Sequence, residues 1–414
     1  MQPILQLSFD WASHEHAFAW CDRATGTGET GVVSADPDRF HRWFSKLRER
    51  FRRHHFEIIV EMSKGVLIWM LKDYEQVTVF PLNPICSANF RKACSPSGAK
   101  DDAGDATLWL DYLDKHRDQI RPLRFADREH RQLDRLCRHR RDFVDQQTQL
   151  MQKTQAVLGE YFPQALEIAG KENTKSFRAF LKRWPDLDSL RRSRPQTLRR
   201  FFIEHRIRHR ASIESRLQAA AEATAVTTDE AIVTTAKMRL GGLLGQLEAL
   251  ADTIAQYDRT IAQFMRESIP AWENDLVRSF PCVGACTAPR LVVALEAAVA
   301  MEQADRASAF VGVAPVTKRS GKKTIVHRRY SRPVFLHQSL VEYANVSRRS
   351  CLWAQEYYRQ RKQRGEKHWS IMRSLAYKWM RIFVKCWQNH QLYDEARHLE
   401  NLRKQQSPYA LKSA

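Results

Sequence analysis

The feature that most constrains this chain is a long run of apolar residues between positions 240 and 264. Steps of three and four residues alternate along it, so that all its members lie on one side of an α-helix. Such a stripe must be buried against another helix, and the run therefore predicts a coiled coil, although Gly241, Gly242 and Gly245 weaken its start. The stripe, named the seam below, consists of Leu240, Leu243, Leu247, Leu250, Ile254, Tyr257, Ile261 and Phe264.

The partner of the seam has two candidates. Residues 127–165 are predicted to be helical, with a partial heptad of apolar residues, and would form an intramolecular hairpin with the seam. The other candidate is a second copy of the chain, which would make the segment a self-association device. The sequence leaves both open, and one does not exclude the other.

The first 125 residues alternate between strand and helix patterns. ILQLSF predicts a strand that ends at Asp10, and HAFAWC and ETGVVS on either side of ATGTG predict a hairpin. Helices are predicted in DPDRFHRWFSKLRERF and from Asp101 onward, and short strands in EIIVEM and VTVFPL. This β-β-β-α-β-α-β-α order is typical of an α/β fold, with helices packed on a mixed sheet.

The remainder of the chain is predicted to be mainly helical. Residues 170–215 form arginine-rich helical pieces broken at Pro185 and Pro195, and Pro270 ends the helix of the seam. Next come a helix, a tight turn at Gly284 and a second helix.

Residues 305–335 are basic and rich in turn formers, and helices with many aromatic residues extend from Pro333 to about His398. Core packing is the favoured explanation for most of the tryptophans in these helices.

The charge of the chain indicates a polyanionic partner. Its 67 Lys and Arg against 47 Asp and Glu give a formal net charge of +20, which attracts nucleic acid in a salt-dependent way. No apolar run approaches the length of a membrane-spanning helix, and no signal peptide opens the chain. We therefore expect a cytoplasmic, nucleoid-associated bacterial protein with no membrane partner. Its eight cysteines are expected to be reduced and mostly buried.

Four carboxylates stand out by their positions. Asp10 closes the first strand, Glu61 closes EIIVE, and Asp102 and Asp105 share one side of a helix start. Parallel strands end at a common edge of a sheet, where carboxylates would repel one another unless a divalent cation neutralised them. Mg²⁺ prefers such oxygen ligands. The alternative is that these residues are ordinary caps and first-turn acids, and position alone does not decide between the two.

The order of these motifs resembles the IS-one-ten family of insertion-sequence transposases, also known as DEDD transposases, which includes related site-specific DNA invertases. Their Asp, Glu and Asp-x-x-Asp set corresponds to Asp10 in LSFDWAS, Glu61 in IIVEMSKG, and Asp102 and Asp105 in AKDDAGDA. The family's other elements correspond to Asn83-Pro84 after a strand and to Lys100 and Ala106 beside the acidic pair.

The resemblance continues into the second half of the chain. Pro281-Cys282-Val283-Gly284 matches the family's Pro-Gly-x-Gly turn, with Cys282 in place of its first glycine. Phe310 to Pro315 and the pair Ser320-Gly321 match two further segments, and the serine of that pair is the nucleophile proposed for the family. Other departures are Ser13, where a lysine is common, and Tyr330-Ser331, where the family has a Gly-Asn-like pair.

The resemblance implies three domains. Residues 1–125 would form an RNase H-like (RuvC-like) catalytic domain, and residues 126–269 a linker of antiparallel coiled-coil helices. Residues 270–414 would form a mainly α C-terminal transposase domain with a helix-hairpin-helix-like motif and the Ser-Gly loop.

The resemblance also implies a mechanism and partners. Ser320 would attack a DNA phosphodiester, while Asp10, Glu61, Asp102 and Asp105 bind Mg²⁺ or Mn²⁺. The partners would be double-stranded donor and target DNA and a structured noncoding guide RNA, bound by a homodimer or homotetramer. The residues expected to contact nucleic acid are Lys100, Lys318, Arg319, Gly321, Lys322 and Lys323.

Two other functions are compatible with the residues. A RuvC-type nuclease or junction resolvase would use the acids alone, with water as the nucleophile, and form no covalent adduct. A non-catalytic nucleic-acid-binding scaffold would bind without cleaving. The basic loop around Ser320 would then contact phosphates without chemistry.

Overall fold

The computed structural model describes residues 2–62, 64–94, 102–321 and 323–409, without the side chains of Asp102 and Ala103. The chain forms two compact units, Met1–Phe125 and Ala126–Ala414. The predicted division into three domains stays a prediction.

The first unit is a mixed α/β structure, as predicted. Its strands follow the order β3-β2-β1-β4-β5 across one sheet, with β1 antiparallel to β2 and parallel to β4. The hairpin predicted around ATGTG is confirmed by the antiparallel pairing of β2 and β3. The elements are β1 Ile4–Asp10, β2 Glu15–Asp22, β3 Gly28–Ser34, α1 Pro37–Arg50, β4 His55–Val60, α2 Val66–Leu71, β5 Val77–Pro81, α3 Pro84–Cys94, α4 Asp102–His116 and a 3-10 turn at Arg117–Gln119.

Alternation along the strands gives this sheet two buried faces. Phe9 on β1 and Val60 on β4 point into a core shared with Phe44 of α1. The opposite face carries Ile59, which packs with Trp109 of α4. Helix α4 therefore covers the face that the even-numbered residues of β1 occupy.

The second unit is mainly helical, as predicted. It contains α5 Arg128–Tyr161, α6 Ala165–Ala169, α7 Lys175–Arg183, α8 Leu187–Arg191, α9 Pro195–Glu204, α10 Arg210–Glu222, α11 Glu230–Glu267, α12 Ala271–Ser279, α13 Ala288–Val299, α14 Ala304–Phe310, β6 Val316–Ser320, β7 Lys323–His327, α15 Val334–Ser347, α16 Leu352–Gln363, α17 His368–Gln388 and α18 Glu395–Lys404. Pro195 begins α9, where its fixed φ suits the first helical turn.

The seam lies on α11, and five of its eight residues are buried within this chain. Helix α11 packs along α5, the ring of Tyr257 lies 5.5 Å from that of Phe143, and Arg140 Nε contacts Asp258 Oδ1 at 2.6 Å. The intramolecular hairpin is therefore confirmed, and self-association stays a prediction. The glycines near its start lie inside α11, where a Cβ at Gly241 would meet no other atom within 4 Å.

Two hydrophobic cores lie along the α5–α11 hairpin. One joins Val157 and Leu247 to helices α6–α10. The other joins Leu133 and Ile261 to helices α12–α17. Three tryptophans of the C-terminal helices lie in or line this second core, whereas Trp369 is 56% exposed. The core-packing interpretation thus holds for Trp353, Trp379 and Trp387.

An ionic network centred on the buried His130 joins the start of α5 to α12. His130 Nε2 lies 2.7 Å from Glu273 Oε2, and its Nδ1 lies 2.7 Å from Asp127 Oδ2. Burial alone would lower the pKa of His130, but the hydrogen bonds and charges of Glu273 and Asp127 outweigh it and raise the pKa to about 9. The imidazolium therefore carries its charge at neutral pH.

The cysteines are free thiols, as expected, but the expectation that most are buried is wrong. Cys137 and Cys351 are buried, whereas Cys86, Cys94, Cys282 and Cys286 are exposed. Among the described residues, no helix is both long and apolar enough to span a membrane.

Candidate active site

The first pair of predicted site residues lies at the ends of neighbouring parallel strands. Phe9 of β1 is the register partner of Val60 of β4. Asp10 is the last residue of β1, and Glu61 directly follows β4. Both side chains are partly exposed. Because these strand ends are adjacent, the fold brings the two acids to one edge of the sheet, as their positions predicted.

Helix α4 places a third carboxylate against the sheet face that Asp10 occupies. Ser8 Oγ donates a 2.6 Å hydrogen bond to the carbonyl oxygen of Ala106, which holds the first turn of α4 against β1. Asp10 pairs across the sheet with Ala17, and Ala17 packs against Ala106. Asp105 is therefore held on the sheet face that Ser8 and Asp10 share.

Asp102 begins α4, but its side chain is outside the described residues, as is Lys100. We therefore describe the site through three of the four predicted carboxylates.

Asp105 has a cationic partner that the sequence did not indicate. Its side chain is 4% exposed, and Arg91 of α3 holds both carboxylate oxygens through Nε and a terminal nitrogen, each at 2.6 Å. Helix α3 is itself tied to α4, because Trp109 Nε1 donates a 3.0 Å hydrogen bond to Ser87 Oγ. A bidentate guanidinium satisfies a buried carboxylate that would otherwise be costly.

The donor chemistry of this edge fits a divalent metal in part. Carboxylate oxygens of Asp10 and Glu61 are hard ligands of the kind that Mg²⁺ and Mn²⁺ take. Within the described part of the chain, no group of three His, Cys, Asp or Glu side chains is arranged to hold a metal. Asp105 would join Asp10 and Glu61 only if the guanidinium of Arg91 turned away from it.

The predicted serine lies at the end of a solvent-exposed β-hairpin. Strands β6 and β7 pair with Ser320 opposite Lys323, and Gly321 begins the turn with φ +53°. That left-handed conformation is one that glycine adopts without strain. Lys318, two residues before Ser320, shares its face of the hairpin, as does Lys323.

The same register separates Arg319 from the serine. Arg319 lies on the opposite face of the hairpin, paired with Thr324, while Lys322 is outside the described residues. Lys318 and Lys323 are thus the described cations best placed to hold a phosphate at Ser320. The strand register shows that these lysines share the hairpin face of Ser320 and that Arg319 does not, which the run of basic residues in the sequence cannot show.

The turn between α12 and α13 holds a cysteine in the left-handed region of backbone conformation. Cys282 has φ +60°, although its side chain makes that region unfavourable. Its Sγ lies 2.9 Å from Ser350 Oγ, and Thr287 donates its backbone N–H to Gly284 at 3.0 Å. The predicted order of helix, turn and helix is confirmed.

Comparisons with known proteins identify both halves of the chain. Residues 7–163 match a family model described as a transposase of the DEDD, IS110 type, and residues 274–359 match one described as a transposase of the IS116/IS110/IS902 family. The transposase assigned to the mini-circle IS117 of Streptomyces coelicolor is 25% identical, over 94% of this chain and 95% of its own length. The carboxylates fall in the first match and Ser320 in the second. The chain is therefore a member of the IS110 family of transposases, enzymes that recombine DNA.

Proposed function

We propose that this transposase cuts and rejoins DNA through Ser320, assisted by a divalent metal at Asp10, Glu61, Asp102 and Asp105. The observation that carries this proposal is the exposure of Ser320 on the same hairpin face as Lys318 and Lys323. The adjacent strand ends that carry Asp10 and Glu61 support the metal site. The sheet order and the helices on both faces support an RNase H-like first unit.

In the proposed reaction, Ser320 Oγ attacks a backbone phosphorus, and its proton passes to a base. A phosphoserine bond forms as the P–O bond to the DNA sugar breaks, and the released sugar oxygen takes up a proton. Lys318 and Lys323 stabilise the charge that develops on the phosphate oxygens. Attack by a new strand's hydroxyl reverses these steps and frees the serine. A bound Mg²⁺ would supply Lewis-acid stabilisation of phosphate charge.

The proposed partners include duplex donor and target DNA and a structured noncoding RNA that selects the sites. The net charge of +20 supports polyanion binding in general. Exposed arginines follow α8 and surround α9 and the start of α10, and those at 194, 206 and 208 are among them. This arginine-rich stretch is the surface that we assign to structured RNA. A homodimer or homotetramer would let one protomer's serine act with another protomer's acids.

The serine is tested by trapping its adduct. Recombination reactions with Ser320→Ala and with the matched control Ser331→Ala, an exposed serine of the same basic stretch, are run on denaturing gels with end-labelled DNA. We expect a covalent protein–DNA band with the wild type and Ser331→Ala and none with Ser320→Ala. Cleavage without any band would indicate a nuclease that uses water, and binding without cleavage would indicate a scaffold.

The acids are tested by amide substitution. Asp10→Asn and Glu61→Gln should each lower metal-dependent cleavage by about 10²-fold or more, since several kcal/mol of transition-state stabilisation would be lost. Asp111→Asn is the control, because Asp111 lies on α4 but pairs with Lys115 at the surface. Equal activity of the three variants across a Mg²⁺ titration would remove the metal site from the proposal.

A further inference from the structure

An exposed tryptophan distinguishes the second unit from an ordinary helical core. Trp369 lies in the first turn of α17 and is 56% exposed, while nearby Tyr357 is 2% exposed. Its ring borders a cleft of about 540 Å³ that Lys367 and Arg373 also line. Residues four apart on a helix lie side by side, so the guanidinium of Arg373 and the indole face the same region of surface.

Two arginines from the segment after β7 lie close to Arg373 at this cleft. The charges of Arg328 and Arg332 both act on Arg373, whose pKa is lowered by burial and by these two neighbours. Burial and the same three arginines lower the pKa of His337 to about 4, so it adds no charge at neutral pH. Among the described residues, no carboxylate is one of the groups that shift the pKa of Arg373.

A second exposed aromatic ring completes the surface. Tyr330 is 67% exposed, and the guanidinium of Arg328 lies 4.8 Å from its ring centre. Arg332 donates a 3.2 Å hydrogen bond to the carbonyl oxygen of Tyr330, which fixes the segment. We name the set Arg328, Tyr330, Arg332, Trp369 and Arg373 the aromatic–arginine surface.

We infer that the aromatic–arginine surface binds an unpaired segment of DNA, with phosphates on the arginines and a base stacked on Trp369. Three clustered arginines are complementary to a polyanion. Glu366 also lines the cleft, but its carboxylate accepts a 2.6 Å hydrogen bond from Arg361. An exposed indole face stacks well only on a base that is free of duplex stacking. The choice of DNA rests on the proposed function, because Arg328 directly follows the strand β7 that carries Lys323 opposite Ser320.

The β-strand β7 connects the hairpin turn beside Ser320 to the aromatic–arginine surface. From Lys323 to His327, β7 spans about 13 Å at 3.3 Å per residue. A DNA strand with one phosphate at Ser320 would therefore extend along β7 to reach Arg328 and Tyr330. The surface would hold the segment next to the cleaved bond apart from its complement.

The test is equilibrium binding without divalent cations, in full-length protein carrying Ser320→Ala so that no cleavage intervenes. Fluorescence anisotropy is measured with a 20-nucleotide oligothymidylate, a 20-base-pair duplex and a 20-nucleotide oligouridylate. Trp369→Ala should weaken oligothymidylate binding by about 5- to 100-fold, the range for loss of one stacked base. Trp369→Phe should restore most of the affinity.

The arginines and the controls complete this test. Arg373→Ala should weaken binding and reduce the slope of log affinity against log salt by about 0.7, the value for one phosphate contact on a single strand. Trp69→Ala removes an indole that is 36% exposed in the first unit, and Arg397→Ala removes an exposed arginine of α18. Both controls should leave oligothymidylate affinity unchanged.

Three results would overturn the inference. The first is a Trp369→Ala variant that binds oligothymidylate as tightly as the protein with Trp369. The second is a Trp369→Ala variant that loses as much affinity for the duplex as for oligothymidylate. The third is a preference for oligouridylate over oligothymidylate that depends on Trp369. Failure of the proposed function looks different: a protein that forms no phosphoserine adduct yet binds oligothymidylate through Trp369 contradicts the serine alone. A recombinase whose strand binding ignores Trp369 contradicts only the surface.

Discussion

Replacing His130 with glutamine should change how the stability of the protein depends on pH. His130 is 5% exposed and lies between Glu273 and Asp127, which together raise its pKa from 6.5 to about 9. One pKa unit corresponds to about 1.36 kcal/mol, so the protonated network stabilises the folded state by about 3 kcal/mol. Because the folded pKa is above the unfolded one, this stability is fully present below about pH 6.5 and is lost as pH rises through about 9.

The assay is urea unfolding of the wild type and His130→Gln at pH 6 and pH 10. The difference in unfolding free energy between the two proteins should shrink by about 3 kcal/mol at the higher pH. Comparing the proteins at each pH removes the contribution of other groups that titrate in this range. His139→Gln is the matched control, since His139 is an exposed residue of the same helix whose ring contacts Tyr257.

A difference between wild type and His130→Gln that is the same at both pH values would refute this reasoning. A direct check is the ring ¹⁵N titration of His130, identified as the signal missing from the variant. A midpoint near 6.5 would show that Glu273 and Asp127 do not outweigh the burial of the ring.

Two further substitutions test the carboxylate edge and the Cys282 turn. Arg91→Ala leaves Asp105 buried without its cation and should destabilise the protein by about 3 kcal/mol. Because Mg²⁺ would replace the lost charge, 10 mM MgCl₂ should raise the melting temperature of this variant more than that of the wild type. Equal shifts of the melting temperature would contradict metal binding by Asp105. Cys282→Gly should stabilise the protein by up to about 1 kcal/mol, because relief of the φ +60° strain exceeds the entropy that glycine loses. Cys286 lies in the same turn with a negative φ, so Cys286→Gly should destabilise the protein. If urea unfolding finds Cys286→Gly more stable than Cys282→Gly, position 282 is not strained.

Elements that depend on a repeating pattern were predictable from the sequence. The seam was recognised because eight apolar positions share one helical face, and its partner α5 was recognised through a similar, weaker pattern. The β2–β3 hairpin followed from two strand patterns around a glycine-rich turn. In each case the signal is local, or repeats with the period of the secondary structure.

Features that depend on distant contacts were not predictable. Nothing near Arg91 in the sequence indicates that its guanidinium holds Asp105, because the contact requires α3 and α4 to pack first. The sequence does not distinguish Trp369 from the buried tryptophans of the same helix, and only the packing of α17 shows that Trp369 is exposed. The positive φ of Cys282 is similar, since no local rule places a cysteine there.

The length of the α5–α11 hairpin separates the two hydrophobic cores of the second unit. Leu133 and Val157 of α5 belong to the two different cores, and 24 residues at 1.5 Å per residue place them about 36 Å apart. One turn of B-form DNA is about as long, roughly 35 Å. Within the second unit the hairpin therefore sets the spacing between the two cores. Removing seven residues from each helix would shorten it by about 10 Å and keep the phase of the seam. Spacing and packing are separable properties of this hairpin.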